Sequence, residues 1–370
     1  MKLCFLSDAI SEHTRRWVKY FDEQGHEVDL ITWNDKSLPG YDGVRIHMLR
    51  KPLAGNSFLA RLLNLPFLYY QTRIKLREIA PDLIHAHSLT SYAWMAWLSG
   101  FHPYVVTPWG TDINIDVNTS FFSRLLSSLT LKQADSVICD ADFVRQKAIS
   151  LGVAEAKTRV IMFGVDFRRI PASRKRSQEL MHKFSLNQSP IVISTRILTK
   201  IRDVESFIRA VPFVLAENAL VNFVVVGGGP ERDYLETLAR ELGCREAITF
   251  VGHVTEVEMV EWLSSSDIYV STSLTDAGLA ASTAEAMACG LPVITTDNSD
   301  NSAWVADGKG GYLYPGEDFQ ALAAKILSLL ANEKARAEFG DYNREVVRER
   351  NNYHVEMAKV AETYRELILD

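Results

Sequence analysis

A chain of 370 residues exceeds the roughly 250–300 at which one hydrophobic core stops growing, so two domains are expected. The 47% apolar and 23% charged content is that of an ordinary globular protein, without a low-complexity tract. The net charge of −6 is unevenly spread: residues 1–170 carry 20 Lys/Arg against 17 Asp/Glu, a balance of +3, and residues 171–370 carry 20 against 29, a balance of −9. So small a basic excess suits a solvated surface, or a face turned to anionic lipid or substrate, and no nucleic-acid partner is expected. Cys4, Cys139, Cys244 and Cys289 show no CxxC pairing and read as reduced core residues, so no metal site is expected from them. Met1–Leu6 runs straight into polar residues without a signal-peptide pattern. Tyr92–Val106 is too short and too interrupted to span a bilayer. A cytoplasmic location, with the inner face of the membrane as a further option, is the expectation.

In chain order, Lys2–Leu6 reads as a strand, Thr14–Gln24 as a helix and Glu27–Thr32 as a second strand, an order that predicts a parallel sheet with right-handed crossovers. The loop between them lacks a dinucleotide-binding glycine fingerprint, and it puts Ser11, His13 and Arg15 where either a substrate or a helix cap would be. Phe58–Ile79 mixes aromatics and leucines with Arg61, Arg73, Lys75 and Arg77. Such a segment lies on a membrane surface or packs as an ordinary helix on the sheet, and the second reading is favoured. Pro81–His87 is a strand that places His85 and His87 on one side of the pleat, with no third metal ligand nearby. Tyr104–Thr107 is a strand leading to the turn-rich Pro108–Asp112 with Trp109 at its tip, and Ala134–Cys139 is another. In Asp140-Ala-Asp142 a metal-binding DxD string is weighed against an N-cap at Asp142, and the cap is favoured because a helix-like run follows directly. Arg159–Phe163 and Gly164–Asp166 close this half.

Pro171–Gln188 reads as a linker holding a short helix. A fresh α/β series starts at Pro190–Thr195, and Arg196, Lys200 and Arg202 follow it as cations able to neutralise a diphosphate before the helix Val204–Glu217. Val221–Val226 leads into Gly227-Gly228-Gly229, glycines that let a backbone come close to a ligand but match no phosphate-binding fingerprint. Ile248–Val251, Gly252-His253 and the helix Val257–Ser264 follow. Ile268–Ser273 is a buried strand, Asp276–Ala281 a small-residue loop, and Ser282–Glu285 has capping-box spacing ahead of a short helix Ala284–Cys289. Gly290 and Pro292 end that helix before the strand Val293–Thr296. Strand, tight loop and helix N-terminus form the unit that receives phosphates at the carboxyl ends of parallel strands. Phe319–Ala331 and Tyr353–Leu369 read as helices.

Glu285-Ala-Met-Ala-Cys-Gly290-Leu-Pro-Val, with Gly227–Glu231, Phe250–His253, Gly164–Asp166, PDLIHAH at 81–87 and TPWGTD at 107–112, resembles the retaining glycosyltransferases of family four. The resemblance covers nearly the whole chain. It implies an α/β chain with the GT-B fold: two Rossmann-like domains with parallel sheets facing across a cleft. Residues 1–170 would form the acceptor-side domain, onto which the terminal helix 353–370 packs back, and residues 171–352 the nucleotide-sugar-binding domain. Arg196, Arg202 and Glu285 are implied as the catalytic set, Glu285 on the ribose hydroxyls and the arginines on the diphosphate, with Arg202 preferred to Lys200. Lys200, Gly228, His253, Val254, Leu279, Ala280, Ala281 and Ser282 are implied around the donor, and Ser11, His13, His87 and Trp109 on the acceptor side. No cofactor and no bound metal are implied. The co-substrate would be a UDP- or GDP-linked sugar and the acceptor a glycan or a lipid-linked molecule. Peripheral membrane contact would run through the basic face of the first domain. The family carries two acids eight apart, and the position eight before Glu285 is Ala277, with Asp276 adjacent but out of register. That departure keeps a catalytically silent nucleotide-sugar-binding protein as the alternative. A GT-B epimerase or phosphorylase is a third reading, the phosphorylase without an evident Schiff-base lysine.

Overall fold

The computed structural model describes residues 1–34, 40–53, 58–186, 188–276, 278–298 and 300–369, the side chains of 58–62 excepted. The chain divides into two compact units, Met1–Phe163 with Val355–Asp370, and Gly164–His354. The strands of the first unit are β1 (Lys2–Leu6), β2 (Glu27–Thr32), β3 (Arg45–Met48), β4 (Leu83–His87), β5 (Tyr104–Thr107), β6 (Ser136–Cys139) and β7 (Thr158–Val160). They make one seven-stranded sheet in the order β3-β2-β1-β4-β5-β6-β7, parallel throughout. The second unit holds β8 (Ile191–Ser194), β9 (Asn222–Val226), β10 (Ile248–Gly252), β11 (Ile268–Ser271), β12 (Val293–Thr296) and β13 (Gly311–Tyr314). Its six parallel strands run β10-β9-β8-β11-β12-β13. Both units are therefore Rossmann-like, the architecture of the GT-B fold.

All-parallel sheets carry helices on both faces, so their central strands are apolar in every position rather than in alternate ones. Ile191, Val192 and Ile193 of β8 and Ile268, Tyr269 and Val270 of β11 are fully buried. The helix Val204–Glu217 covers part of this sheet with Val204, Phe207, Ile208, Val211 and Val214, an i, i+3, i+4, i+7 stripe that is buried throughout. In the first unit the helix Glu12–Glu23 does the same with Trp17, Val18 and Phe21. The four cysteines are free and buried.

Several elements differ from the sequence reading. Asp142 does not cap the following helix: Ala141 holds the N-cap position, and Asp142 is the first helical residue, ion-paired through Oδ1 to Arg145 at 2.7 Å. The helix near Glu285 spans Ala281–Ala288 with Ala280 as N-cap and no side-chain cap. Ser282 is thus inside the helix and the capping box expected there does not form. A capping box does form at Thr255 and Glu258, ahead of the helix Glu256–Ser265. Glu333–Arg350, to which the sequence pattern assigns no element, is an 18-residue helix.

Candidate functional site

In an open parallel sheet, ligands bind beyond the carboxyl ends of the strands where the strand order reverses, because the loops there diverge and leave a crevice. The reversal lies between β8 and β11 in the second unit and between β1 and β4 in the first.

At the first of these, Arg196 follows β8 and Asp276 follows β11. Arg196 is almost fully buried, donating through Nη2 to Asp276 Oδ1 at 2.6 Å and through Nη1 to Ser282 Oγ at 3.0 Å. Arg202 Nη1 reaches the same Asp276 Oδ1 at 2.6 Å, and also Ser273 Oγ at 2.9 Å and the Thr275 carbonyl at 2.8 Å. Burial first, and then the Arg196 charge, lower the Arg202 guanidinium from its ordinary value. The Tyr269 hydroxyl donates to Ser282 Oγ at 3.0 Å, tying the strand β11 to the first turn of the helix Ala281–Ala288. Two guanidiniums thus converge beside a helix N-terminus whose backbone N–H groups favour an anion.

Of the expected donor residues, Arg196 and Arg202 come together at Asp276 and Ser282 joins them through Arg196, while Lys200 is exposed, at the start of the short 3₁₀ turn Lys200–Arg202. Glu285 lies one turn beyond Ser282 on the same helix, half-buried. Leu279, Ala280 and Ala281 form the buried-to-partly-buried approach to that helix. Ala277 lies outside the described residues. A Cβ on Gly228 would fall 2.4 Å from His253 Nε2, so that glycine lets the exposed His253 lie against the backbone; Val254 follows, partly buried. Gly227 and Gly229 have a different role from ligand approach. A Cβ there would lie 2.4 Å from the Arg196 carbonyl and 2.3 Å from the Leu198 carbonyl, so the glycines seat the Arg196 loop.

In the first unit, His87 ends β4 and is buried against Phe5, Trp17 and Trp109. Its Nδ1 bonds Ser7 Oγ at 3.0 Å, and Ser7 Oγ bonds Thr14 Oγ1 at 2.7 Å, while its buried Nε2 has no partner among the described residues. His13 stacks on Phe163 with ring centroids 4.5 Å apart. Burial holds His13 near 4 and His87 near 3, so both rings are neutral at pH 7. Ser11 is the N-cap residue of Glu12–Glu23, without a side-chain cap bond, and Arg15 pairs with Glu12. His85 bonds Tyr364 and Thr107 through its two ring nitrogens, which commits both positions a metal would need. Among the described residues no three His, Cys, Asp or Glu side chains gather as a metal-holding group.

A cavity of about 280 Å³ opens beside these residues at the β1/β4 reversal. Trp109 lines it together with Asp8, Trp33, Asn34, Asn64 and Tyr92, and none of those five is singled out by the sequence pattern. Trp33 and Tyr92 stack with centroids 3.6 Å apart. Each of Asp8, Asn34 and Trp109 follows the end of a different strand, so only the strand order brings them together. Asp112 secures the Trp109 loop by accepting from the backbone N–H groups of Leu89, Trp109 and Ile113 at 2.6–2.9 Å. Asp112→Ala would strand three buried donors, and a loss of about 3 kcal/mol or more in urea unfolding of the full chain is expected.

The buried neutral histidines also set a pH dependence. Their folded values lie below the unfolded value near 6.5, so the unfolded chain binds more protons as pH falls through that value, and stability is lost between about pH 6.5 and 3. His87→Gln should shrink the fall in melting temperature between pH 7 and pH 5 relative to the wild type. An unchanged fall would remove His87 from this account.

The family model for glycosyl transferases group 1 matches residues 177–346, and that for glycosyl transferase 4-like proteins matches residues 2–141. Spore coat protein SA of Bacillus subtilis is 25% identical over 235 residues, 60% of this chain and 62% of that protein, so the match takes in less than two thirds of that relative. Alpha-monoglucosyldiacylglycerol synthase of Streptococcus pneumoniae is 25% identical over 335 residues, 84% of this chain and 72% of that enzyme. HepE of Anabaena, solved in complex with UDP-glucose, superposes with a TM-score of 0.83 over 99% of this chain and 100% of that one at 19% identity, a likeness of fold. With one model seated on each parallel sheet, the chain belongs to the group 1 glycosyltransferases of the GT-B fold.

Proposed function

We propose that this protein transfers a sugar, with retention at the anomeric carbon, from a UDP- or GDP-linked donor to a glycan or lipid-linked acceptor in cell-surface polysaccharide or glycolipid assembly. The convergence of Arg196 and Arg202 beside the N-terminus of Ala281–Ala288 carries this reading. Leaving-group charge develops on the diphosphate, and two fixed guanidiniums with a helix N-terminus meet it there without a metal ion. Glu285, one turn on, is the acid placed to hold the ribose hydroxyls. That HepE has been solved with UDP-glucose, and that a relative is named as a glucosyldiacylglycerol synthase, supports a nucleotide-sugar donor and a lipid-linked acceptor. The cavity lined by Trp33, Tyr92 and Trp109, with Asp8, Asn34 and Asn64 among its polar groups, suits a sugar of the acceptor: apolar faces meet the rings and carboxylate or amide groups meet the hydroxyls.

The test is a thermal-shift screen of the full chain against nucleotide-diphospho-sugars, followed by donor hydrolysis or transfer with the ligand that raises the melting temperature most. Binding without turnover on any acceptor would favour the silent protein, which the Ala277 substitution motivates. A bound chromophore in an absorbance scan would instead favour the phosphorylase.

We further propose that the first unit meets an anionic membrane. Leu63, Phe67 and Tyr70 are exposed on the helix Phe58–Ile79, and Phe121, Phe122 and Leu125 on Phe121–Gln133, both of which pack against the helix Tyr92–Ser99. The two helices carry Arg61, Arg73, Lys75, Arg77, Arg124 and Lys132 against the single acid Glu78. No described helix is long and apolar enough to cross a membrane, so the contact would be peripheral. Flotation with phosphatidylglycerol vesicles, but not with phosphatidylcholine vesicles, is expected, and Phe121→Ser with Phe122→Ser should cut the bound fraction severalfold. Equal recovery from both vesicle types would rule out the electrostatic part.

A further inference from the structure

We propose that Asp276 is a built-in occupant of the diphosphate site: its carboxylate holds Arg196 and Arg202 together and must give them up when the donor arrives. The proposal rests on the reading of this crevice as a nucleotide-diphosphate site. One carboxylate oxygen, Asp276 Oδ1, accepts from both guanidiniums at 2.6 Å each. Asp276 and Arg196 are both under a tenth exposed, so the pairing is a buried one rather than a screened surface contact. A single oxygen accepting from two convergent guanidiniums, next to a helix N-terminus, stands where a phosphate oxygen would be received.

Two like charges this close, taken out of water, repel one another unless an anion lies between them. Asp276 supplies that anion from the chain itself. The arginines are thereby held in one orientation, but an incoming diphosphate competes with a neighbour permanently tethered beside it. A tethered competitor lowers apparent affinity by the fraction of molecules in which the arginines are released. Asp276 is therefore a positioning residue that sets donor affinity through Arg196 and Arg202.

Removing the charge should do two opposite things. The free protein loses the ion that joins its two guanidiniums and melts earlier, while the diphosphate loses its competitor and binds more tightly. A purely structural role would lower free and bound melting temperatures together and leave affinity unchanged or weaker. The experiment is titration calorimetry and thermal melting of the full chain, as wild type, Asp276→Asn and Asp276→Glu, with inorganic diphosphate, UDP and GDP. In Asp276→Asn the dissociation constant for inorganic diphosphate is expected to fall about tenfold, with a lower melting temperature when free and recovery towards the wild-type value at saturating diphosphate. Asp276→Glu keeps the charge and should stay near wild-type affinity. Asp276→Ser serves if the asparagine variant does not fold.

An unchanged or raised dissociation constant in both Asp276→Asn and Asp276→Ser overturns the proposal. If UDP or GDP binds all variants alike, the competitor role falls and the nucleotide site stands. If inorganic diphosphate binds more tightly to Asp276→Asn but neither nucleotide binds any form, the competitor role stands and the nucleotide reading falls. Absence of binding by any of the three anions to any form overturns both.

Discussion

Glu285→Gln is expected to reduce kcat/KM with the best donor by about two orders of magnitude, since on the proposed reading a carboxylate that accepts from two ribose hydroxyls would lose one charge-assisted hydrogen bond of about 1.5–3 kcal/mol and the charge assistance of the other. The amide keeps the size of the side chain and one acceptor, so the loss should appear in nucleotide affinity as well as in turnover. Glu285 is half-buried on the second turn of Ala281–Ala288, and the same replacement in a helix of the opposite sheet edge has no reason to touch donor binding. Calorimetry with UDP and GDP beside a transfer assay measures the two losses separately. Wild-type nucleotide affinity in Glu285→Gln would detach this residue from the donor.

A large effect of a single methyl group is expected at Gly227, beside the site. Its φ of +135° lies outside what side-chain-bearing residues ordinarily adopt, and a Cβ there would sit 2.4 Å from the Arg196 carbonyl. Backbone cannot yield as a flexible side chain does, so Gly227→Ala should cost about 3 kcal/mol or more in urea unfolding and displace the Arg196 loop. Gly243 is the control: its φ of +69° is also left-handed, but nothing lies within 4 Å of an added Cβ, and Gly243→Ala should cost only about 1 kcal/mol. Donor binding should survive at Gly243 and be lost at Gly227. Equal effects at the two positions would mean that the Arg196 loop is not seated by the glycine.

Strands were the most legible part of the chain, and the reason is their environment. Glu27–Thr32 and Tyr104–Thr107 appear with the bounds read from sequence; Tyr104–Thr107 is the apolar run between polar turns expected of a parallel strand buried on both faces, and Glu27–Thr32 keeps Val28, Leu30 and Ile31 around a buried Asp29 that pairs with Arg45 and His47. The helix Glu333–Arg350 escaped notice because its buried face is Phe339, Gly340, Asn343 and Val347, too polar and too small to show as an apolar stripe. Asn343 anchors it instead, donating from Nδ2 to the carbonyls of Leu291 and Gly310 at 2.8 and 2.6 Å. In the second unit's crevice, cations after one strand and a helix N-terminus after another could be read from residue order alone. That Asp276 bonds both arginines could not, since it depends on β8 and β11 being neighbours although their carboxyl ends, Ser194 and Ser271, lie 77 positions apart in the chain. The cavity of the first unit was hidden for the same reason: Asp8, Asn34 and Trp109 become adjacent only through the strand order.

The discontinuity of the first unit constrains how the protein is made. Tyr364 is fully buried, stacks on Phe21 at 5.0 Å and bonds His85, 279 positions earlier in the chain. On the ribosome, Gly164–His354 is complete before the last turns of Tyr353–Leu369 emerge. The unit whose synthesis begins first is therefore the one whose core closes last, and until then its sheet lacks part of its cover. A nascent chain paused short of Tyr364 would carry a closed second unit beside an open first one, exposing Phe21 and the apolar flank of β4 to chaperones and proteases for the interval.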